Sequence, residues 1–303
     1  MSEVKERARD RDRRGLGGEG RQLKKVELLF DYPRLEERLI IERLKGRGMD
    51  VALTNVNDAP FVVGESPAEV SIVRPVAMFK AMYSAAVRES SGTYTVNSSV
   101  TLFTCGDKVL CLSAVRKKGI RVPRTVVALD RRSAEITYKA MQKPFVDKPP
   151  IGSWGRLVAL ITDPISWRTV LEHRSMLSSA QLKVHLMQQY VDHGGRDVRT
   201  IVVGEQVLGA MERIGPSDDW RTNVALGGKT VSRKLDEELI ETSLRCAEIV
   251  RGDFIAVDLL QDRSGGYYVN ELNGVPEFKG FMEATGIDVA DSLASHISSL
   301  LKR

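Results

Sequence analysis

The stretch FIAVDLLQDRSGGYYVNELNG, Phe254–Gly274, holds two apolar runs separated by a polar, glycine-bearing turn. Phe254–Leu260 and Gly266–Glu271 each read as a strand. Asp258 and Glu271 lie inside these apolar runs, where an unpaired carboxylate would be costly. On neighbouring strands the two carboxylates and the carboxamide of Asn273 can converge on one point. Three hard oxygen donors suit Mg²⁺ held between protein and a polyphosphate. The competing explanation is that both carboxylates are salt-bridged to nearby arginines. A metal is the more economical partner, and Asp258, Glu271 and Asn273 are expected to hold one.

A second signal lies upstream in FVDKPPIGSWGRL, Phe145–Leu157. A strand, Phe145–Lys148, delivers Lys148 into a loop containing Gly152, Ser153, Trp154, Gly155 and Arg156. Glycine lets backbone N–H groups approach phosphate oxygens closely, and Lys148 and Arg156 add positive charge. Such loops are common, and this one lacks the GK[ST] ending of a Walker loop, so alone it is weak. A third signal is HLMQQYVDHGGRDVRTIVVG, His185–Gly204, where a strand ends in Gln188–Val191 and Arg199 follows on the next. WRTNVALGG, Trp220–Gly228, adds Arg221 and Asn223. Arg199, Arg213 and Arg221 are expected around a phosphoryl group in transfer, where guanidinium forks match developing charge.

Outward from these motifs the chain changes character. Val26–Tyr32, Asp50–Val56, Val70–Val73 and Gly92–Asn97 read as strands. Helices from Pro33 (apolar Leu35, Leu39, Ile40, Leu44) and Pro75 alternate with them. That alternation predicts a parallel sheet with covered faces, and no GxGxxG follows the first strand. Farther on, Lys108–Lys118 and Ala134–Met141 read as helices and Pro123–Leu129 as extended. From Val184 strands dominate: Val184–Val191, Asp197–Val203 and Gln206–Glu212. Helices follow at Asp236–Arg251 and Val289–Leu301. The fold class is therefore α/β, shading into α+β in the C-terminal half.

Composition bounds the rest. The chain has 303 residues, 42% of them hydrophobic, enough for two or three packed units. No apolar run approaches the roughly 20 residues needed to cross a bilayer, and the N-terminus has no signal-peptide core. Three cysteines at irregular spacing, Cys105, Cys111 and Cys246, argue against disulfides and zinc and for a reducing cytoplasm. Of the net charge of +5, residues 1–25 contribute +4, from nine basic and five acidic side chains. The basic character thus belongs to a tail expected to be disordered, and no interleaved aromatics suggest nucleic-acid binding. His173, His185, His193 and His296 have no metal or triad spacing and read as structural or exposed.

Together these motifs resemble the ATP-grasp superfamily, in its RimK-like branch, over nearly all of residues 26–303. Within it, VNSS at 96–99, CGDK at 105–108, DKPPIGSWGR at 147–156 and NELNGVPEFKGF at 270–281 are similar to the LysX and ArgX ligases of amino-group-carrier biosynthesis. The resemblance implies residues 1–24 as tail, 25–100 as a pre-ATP-grasp domain, and 101–187 and 188–303 as central and C-terminal ATP-grasp subdomains. It implies ATP and Mg²⁺, with two ions, a small acidic LysW-type carrier protein as partner, and a homodimer or homotetramer. Lys108 and Lys148 would contact the nucleotide, and Gln188, Gln189, Tyr190 and Val191 would form the adenine hinge. Gln189 stands where the family often has Glu, a harmless change if the hinge works through backbone atoms. ATP would phosphorylate the side-chain carboxylate of the carrier's C-terminal glutamate, and an amino acid's amino group would then attack. Glu277, Phe278, Lys279, Gly280 and Phe281 would read that amino acid. Gly280 with Phe281 implies glutamate over 2-aminoadipate, with Phe281 shortening the pocket unless it packs in the core. The alternatives are a 2-aminoadipate-specific ligase, another RimK-like carboxylate–amine ligase, or a nonenzymatic nucleotide-binding scaffold.

Overall fold

The computed structural model describes residues 25–216, 219–222 and 227–302. The expected disordered tail, residues 1–24, and Asn223 lie outside the described residues.

Three sheets follow one another along the chain. The first is parallel, in the order β2-β1-β3-β4, from β1 (Lys25–Phe30), β2 (Asp50–Asn55), β3 (Val70–Val73) and β4 (Tyr94–Val96). The helices α1 (Leu35–Gly46) and α2 (Met78–Glu89) connect its strands, as the alternation required. Their first residues lie two and three positions beyond the prolines that signalled them. β1 also carries a buried charge: the Glu27 carboxylate accepts two hydrogen bonds from Arg88 at 2.8 Å, one from Ser71 at 2.7 Å and one from Thr54 at 2.6 Å. With its lone pairs satisfied, the carboxylate is tolerated at full burial.

Two helices, α3 (Ser99–Gly106) and α4 (Lys108–Lys117), lead out of this sheet. The second sheet is antiparallel, in the order β5-β8-β6-β7, from β5 (Thr125–Ala128), β6 (Phe145–Lys148), β7 (Ala159–Ile161) and β8 (His185–Gln189). The helices α5 (Arg131–Ala140), α6 (Pro164–Met176) and the short α7 (Ala180–Lys183) accompany it. Its small core is aromatic, with Tyr138 stacked on Trp167 at 5.1 Å beside Phe145. The helix α6 was missed from periodicity. Its start was nonetheless written in DPIS: Asp163 caps it, accepting from the backbone of Ile165 and Ser166, and Pro164 takes the first turn.

The third sheet, also antiparallel, runs β11-β10-β9-β12-β13. Its strands are β9 (Arg196–Val203), β10 (Gln206–Ile214), β11 (Lys229–Arg233), β12 (Phe254–Gln261) and β13 (Tyr267–Asn273), and α8 (Glu237–Val250) covers one face. The other face shares a core with the first sheet, where Val26, Leu28 and Ile72 meet Ile201, Phe254 and the helices α9 (Lys279–Thr285) and α10 (Val289–Leu300). Arg43–Asp288 and Arg47–Asp291 ion pairs, at 2.8 and 2.7 Å, join α1 to α10 across that junction. Among the described residues no helix is long and apolar enough to cross a membrane.

Candidate active site

Between the second and third sheets lies an open cleft. Its lining gathers most of the residues singled out from sequence: Lys108, Lys148, Gly152–Arg156, Gln188–Val191, Arg213, Arg221 and Glu271.

The floor is built by β6 and β13. Lys148 ends β6 buried, and its Nζ donates to Oδ1 of Asn270 at 2.8 Å. Lys108, at the start of α4, donates to the carbonyl of Gly152 at 2.7 Å and lies 3.2 Å from Glu271 Oε2. Burial pushes the Lys148 ammonium down to about 8, with Lys108 adding repulsion and Glu271 opposing both. Two cations are thus held close together with one carboxylate, a surplus of positive charge that suits an anionic ligand.

Asn270 was not anticipated, and the reason is a bulge. Asp258 pairs with Glu271, but the next pair is Leu259 with Val269, so Asn270 is the extra residue on β13. Strict alternation would send Asn270 and Glu271 to opposite faces. The bulge lets both line the cleft, a re-aiming such irregularities commonly perform.

Charges on β9, β10 and β12 form a chain. Arg199 grips Asp258 with two hydrogen bonds, 2.6 and 2.7 Å. Arg213 reaches the same carboxylate at 3.1 Å and also holds Asp197 bidentately, one contact at 2.7 Å. Burial alone would raise the Asp258 pKa, but Arg199 and Arg213 outweigh it and hold the carboxyl well below the ordinary range. Burial would likewise depress Arg213, yet Asp197 and Asp258 more than reverse it. The salt-bridged alternative weighed for Asp258 is the arrangement seen here.

The residues nevertheless fit a divalent cation. Asp258 faces Glu271 directly across the ladder, and Asn273 stands opposite Ala256, two positions along on both strands. Glu271 is only partly buried and opens into the cleft. Asn273 spends its Oδ1 on the backbone N–H of Val275, at 3.0 Å, which steadies the side chain. No group of three His, Cys, Asp or Glu side chains suited to a metal occurs among the described residues. A site here would be two carboxylates and a carboxamide, completed by ligand oxygens.

The roof is the glycine loop. Gly152, Trp154 and Gly155 adopt positive φ of 143°, 59° and 68°. For Trp154 this is the left-handed region that side chains disfavour. Its ring lies 4.8 Å under the Arg156 guanidinium, and Arg221 donates to the Gly155 carbonyl at 3.2 Å while paired with Asp219 at 2.7 Å.

At the hinge, Gln189 is exposed and its backbone N–H bonds to the carbonyl of Arg124 at 2.8 Å. The Gln188 side chain is turned away to Thr125, at 2.9 Å, and Tyr190 meets Trp220 edge-on. His193, read from sequence as structural or exposed, lines the cleft instead, together with Asp197. Burial lowers its pKa despite Asp197, and its Nδ1 has no partner among the described residues. The other histidines are away from the cleft: His185 bonds the buried Asp147 and His296 bonds Asp253. All three cysteines are buried thiols, Cys111 being pushed up to about 12 by burial.

Glu277–Phe281 is not part of the cleft wall. Phe278 and Phe281 are fully buried in the core shared by the first and third sheets, and a Cβ on Gly209 would meet the Phe281 ring at 3.3 Å. The Phe281 side chain therefore does not shorten a pocket by standing in it.

Residues 105–297 match the family model for the RimK-like ATP-grasp domain. The chain belongs to the RimK-like ATP-grasp family. It is 43% identical over 275 residues to the glutamate–LysW ligase ArgX of Sulfurisphaera tokodaii, covering 90% of this chain and 98% of that protein. It is 32% identical over 282 residues to the same organism's alpha-aminoadipate–LysW ligase LysX, covering 91% and 99%. The RimK-domain ATP-grasp protein of Sphaerobacter thermophilus superposes with a TM-score of 0.72 at 24% identity, over 90% of this chain and 99% of that one. The ATP-grasp ligase PsnB, solved with minimal precursor, Mg and ADP, does so with 0.70 at 17%, over 92% and 98%. The expected fold and the expected class of ATP-dependent carboxylate–amine ligase are both met by these relatives.

Proposed function

We propose that this chain joins the α-amino group of glutamate to the side-chain carboxylate of the C-terminal glutamate of a small, acidic LysW-type carrier protein, consuming ATP and releasing ADP and phosphate. The observation that carries the reading is the cleft floor, where Lys108 and Lys148 converge with Asn270 and Glu271 beneath the glycine loop. That arrangement suits a polyphosphate. The identity of 43% to a glutamate–LysW ligase, against 32% to an alpha-aminoadipate–LysW ligase, supports glutamate and a place in arginine synthesis.

In this reading the nucleotide base lies against Tyr190 and Val191, and the phosphates lie under Gly152–Arg156 beside Lys108 and Lys148. Asp258, Glu271 and Asn273 would hold Mg²⁺, two ions in all. Bound there, the metal would neutralise phosphate charge and orient the terminal phosphoryl group. Arg199 and Arg213 fix the Asp258 carboxylate in its ionised form and keep guanidinium groups ready beside the phosphoryl oxygens. No protein nucleophile is needed: the carrier's carboxylate takes the phosphoryl group, and the amine of glutamate displaces phosphate from the resulting acyl phosphate. Beyond Asn273 and outside the cleft wall described above, Glu277, Lys279 and Gly280 of the segment Glu277–Phe281 would face the acceptor amino acid, with the buried Phe278 and Phe281 anchoring it from below. A homodimer or homotetramer completes the proposal.

The test is a competition assay. Purified protein receives ATP, Mg²⁺, an acidic carrier ending in glutamate, and equal glutamate and 2-aminoadipate. A carrier mass increased by one glutamyl residue is expected. A mainly 2-aminoadipyl adduct would overturn the glutamate assignment, and ADP release independent of any carrier would overturn the carrier.

A further inference from the structure

Arg74 follows β3 at the carboxyl edge of the parallel sheet, the edge where open α/β sheets present ligand-binding groups. It is among the largest fully buried side chains in the protein. Its Nε donates to Glu37 at 3.0 Å, and its Nη1 donates to the carbonyl of Pro276 at 2.9 Å. The guanidinium carbon lies 5.6 Å from the centre of the Phe278 ring and 5.8 Å from that of Phe254. Its Nη2 is buried with no partner among the described residues. A solely stabilising role is poorly served by a buried cation with one corner unsatisfied, a cost proteins tend to retain at functional positions.

The neighbours of Arg74 act on the same segment. Arg34 donates to Glu37 at 2.7 Å, to the Arg74 carbonyl at 3.1 Å and to Glu277 at 3.4 Å. Glu36 accepts from the backbone N–H of Lys279 at 3.2 Å. Residues 276–279 are therefore tied at three successive places to the first turn of α1 and the end of β3. The segment they hold begins three residues after Asn273.

We propose that Arg74 is a positioning residue for the acceptor amino acid: by fixing Pro276 and Phe278 it sets the place of Glu277–Phe281 relative to the reacting centre. This rests on the reading that Glu277–Phe281 faces the acceptor. Arg74 need not touch substrate, and its influence should fall on the acceptor and spare the nucleotide, whose floor is built by Lys108, Lys148 and β13.

The experiment is a steady-state comparison of Arg74→Lys with the parent, alongside its thermal midpoint. Lysine keeps the charge but cannot bond Glu37 and Pro276 as a planar fork does. Loss of such a supporting contact commonly costs about tenfold, so the KM for glutamate should rise about tenfold while that for ATP stays within about twofold. An unchanged glutamate KM, or glutamate and ATP values rising together with a fallen midpoint, overturns the proposal. Should Arg74→Lys fail to fold, Glu37→Gln loosens the same grip and should give the same split. Gly280→Asn, where a Cβ meets only Thr230 at 3.9 Å, probes the underlying reading separately. If Gly280→Asn shifts acceptor choice and Arg74→Lys leaves glutamate alone, Arg74 is not the positioning residue and the reading stands. If neither changes acceptor behaviour, the reading itself falls and the proposal with it.

Discussion

At the strand side of the cleft, charge is already paired inside the protein: Arg199 on Asp258, Arg213 on Asp258 and Asp197, all buried or nearly so. On the loop side the backbone is bent through four positive-φ positions, Gly152, Trp154, Gly155 and Leu157, Trp154 is over a third exposed, and Arg221, which holds the Gly155 carbonyl, is itself part-exposed. The first arrangement is preorganised, because its groups are fixed before a ligand arrives and cost little to reorganise. The second is held by few bonds and can adjust to what it covers. Substitutions on the two sides should therefore differ in kind. On the strand side they should remove rate, and on the loop side they should weaken binding modestly.

The largest effect is expected at Glu271. It is the carboxylate on the strand side least committed to protein partners, its ion pair being with Lys108 at 3.2 Å. A metal at a phosphoryl centre contributes several kcal/mol, so Glu271→Ala should lower ligation by on the order of 100-fold or more. Circular dichroism and the thermal midpoint should show an intact fold. Near-parental turnover at saturating Mg²⁺ would break the comparison, because it would make the paired carboxylates purely structural.

Lys148 stands between the two regions. Its charge-assisted bond to a phosphate should contribute roughly 1.5–3 kcal/mol, so calorimetry on Lys148→Ala should show ATP binding weakened by about one to two orders of magnitude. Its pKa of about 8 adds a pH signature. Because the folded-state value is depressed, the charge is present below about 8 and is lost as pH rises through it. ATP affinity of the free protein should accordingly fall between about pH 7 and 9. In Lys148→Arg, which stays charged, that fall should vanish. A flat parental profile would show that burial does not govern this group.

The same contrast explains what could be seen in the sequence. Asp258 and Glu271 were visible because a carboxylate inside an apolar run is expensive and must have a reason. Lys148 and the loop were visible because a strand delivers a lysine beside glycines that let backbone N–H groups approach an anion, a common pattern that gained weight only next to the buried carboxylates. The parallel sheet followed from two strand–helix alternations starting at Val26. Asn270 was invisible because the bulge breaks the two-residue period on which any strand reading rests. His193 and Asp197 were passed over because their place in the cleft depends on how β8 and β9 are juxtaposed, which no local pattern encodes. Phe281 shows the opposite error. Its position beyond Asn273 suggested a pocket wall, but as the hydrophobic face of α9 it packs into the core.

The smallest effect is expected at Arg221. Its bond to the Gly155 carbonyl is the link by which the segment around Trp220 holds the glycine loop, and the distance of 3.2 Å is that of an ordinary hydrogen bond. Its partner Asp219 keeps the guanidinium aimed, and both side chains are part-exposed, so solvent screens part of that pair's energy. What Arg221→Ala removes is one hydrogen bond, about 0.5–1.5 kcal/mol, which corresponds to a loss of a few-fold up to about tenfold in ATP affinity. Arg221→Lys can still reach a carbonyl with a single donor and should recover part of the loss. A direct role on the transferring phosphoryl group, as first inferred from its sequence context, would look different. It would lower turnover by two orders of magnitude or so while leaving ATP binding nearly intact, the pattern of a group acting only in the transition state. Measuring the ATP dissociation constant and kcat on the same variant separates the two, and places Arg221 with the adjustable loop or with the fixed charges opposite it.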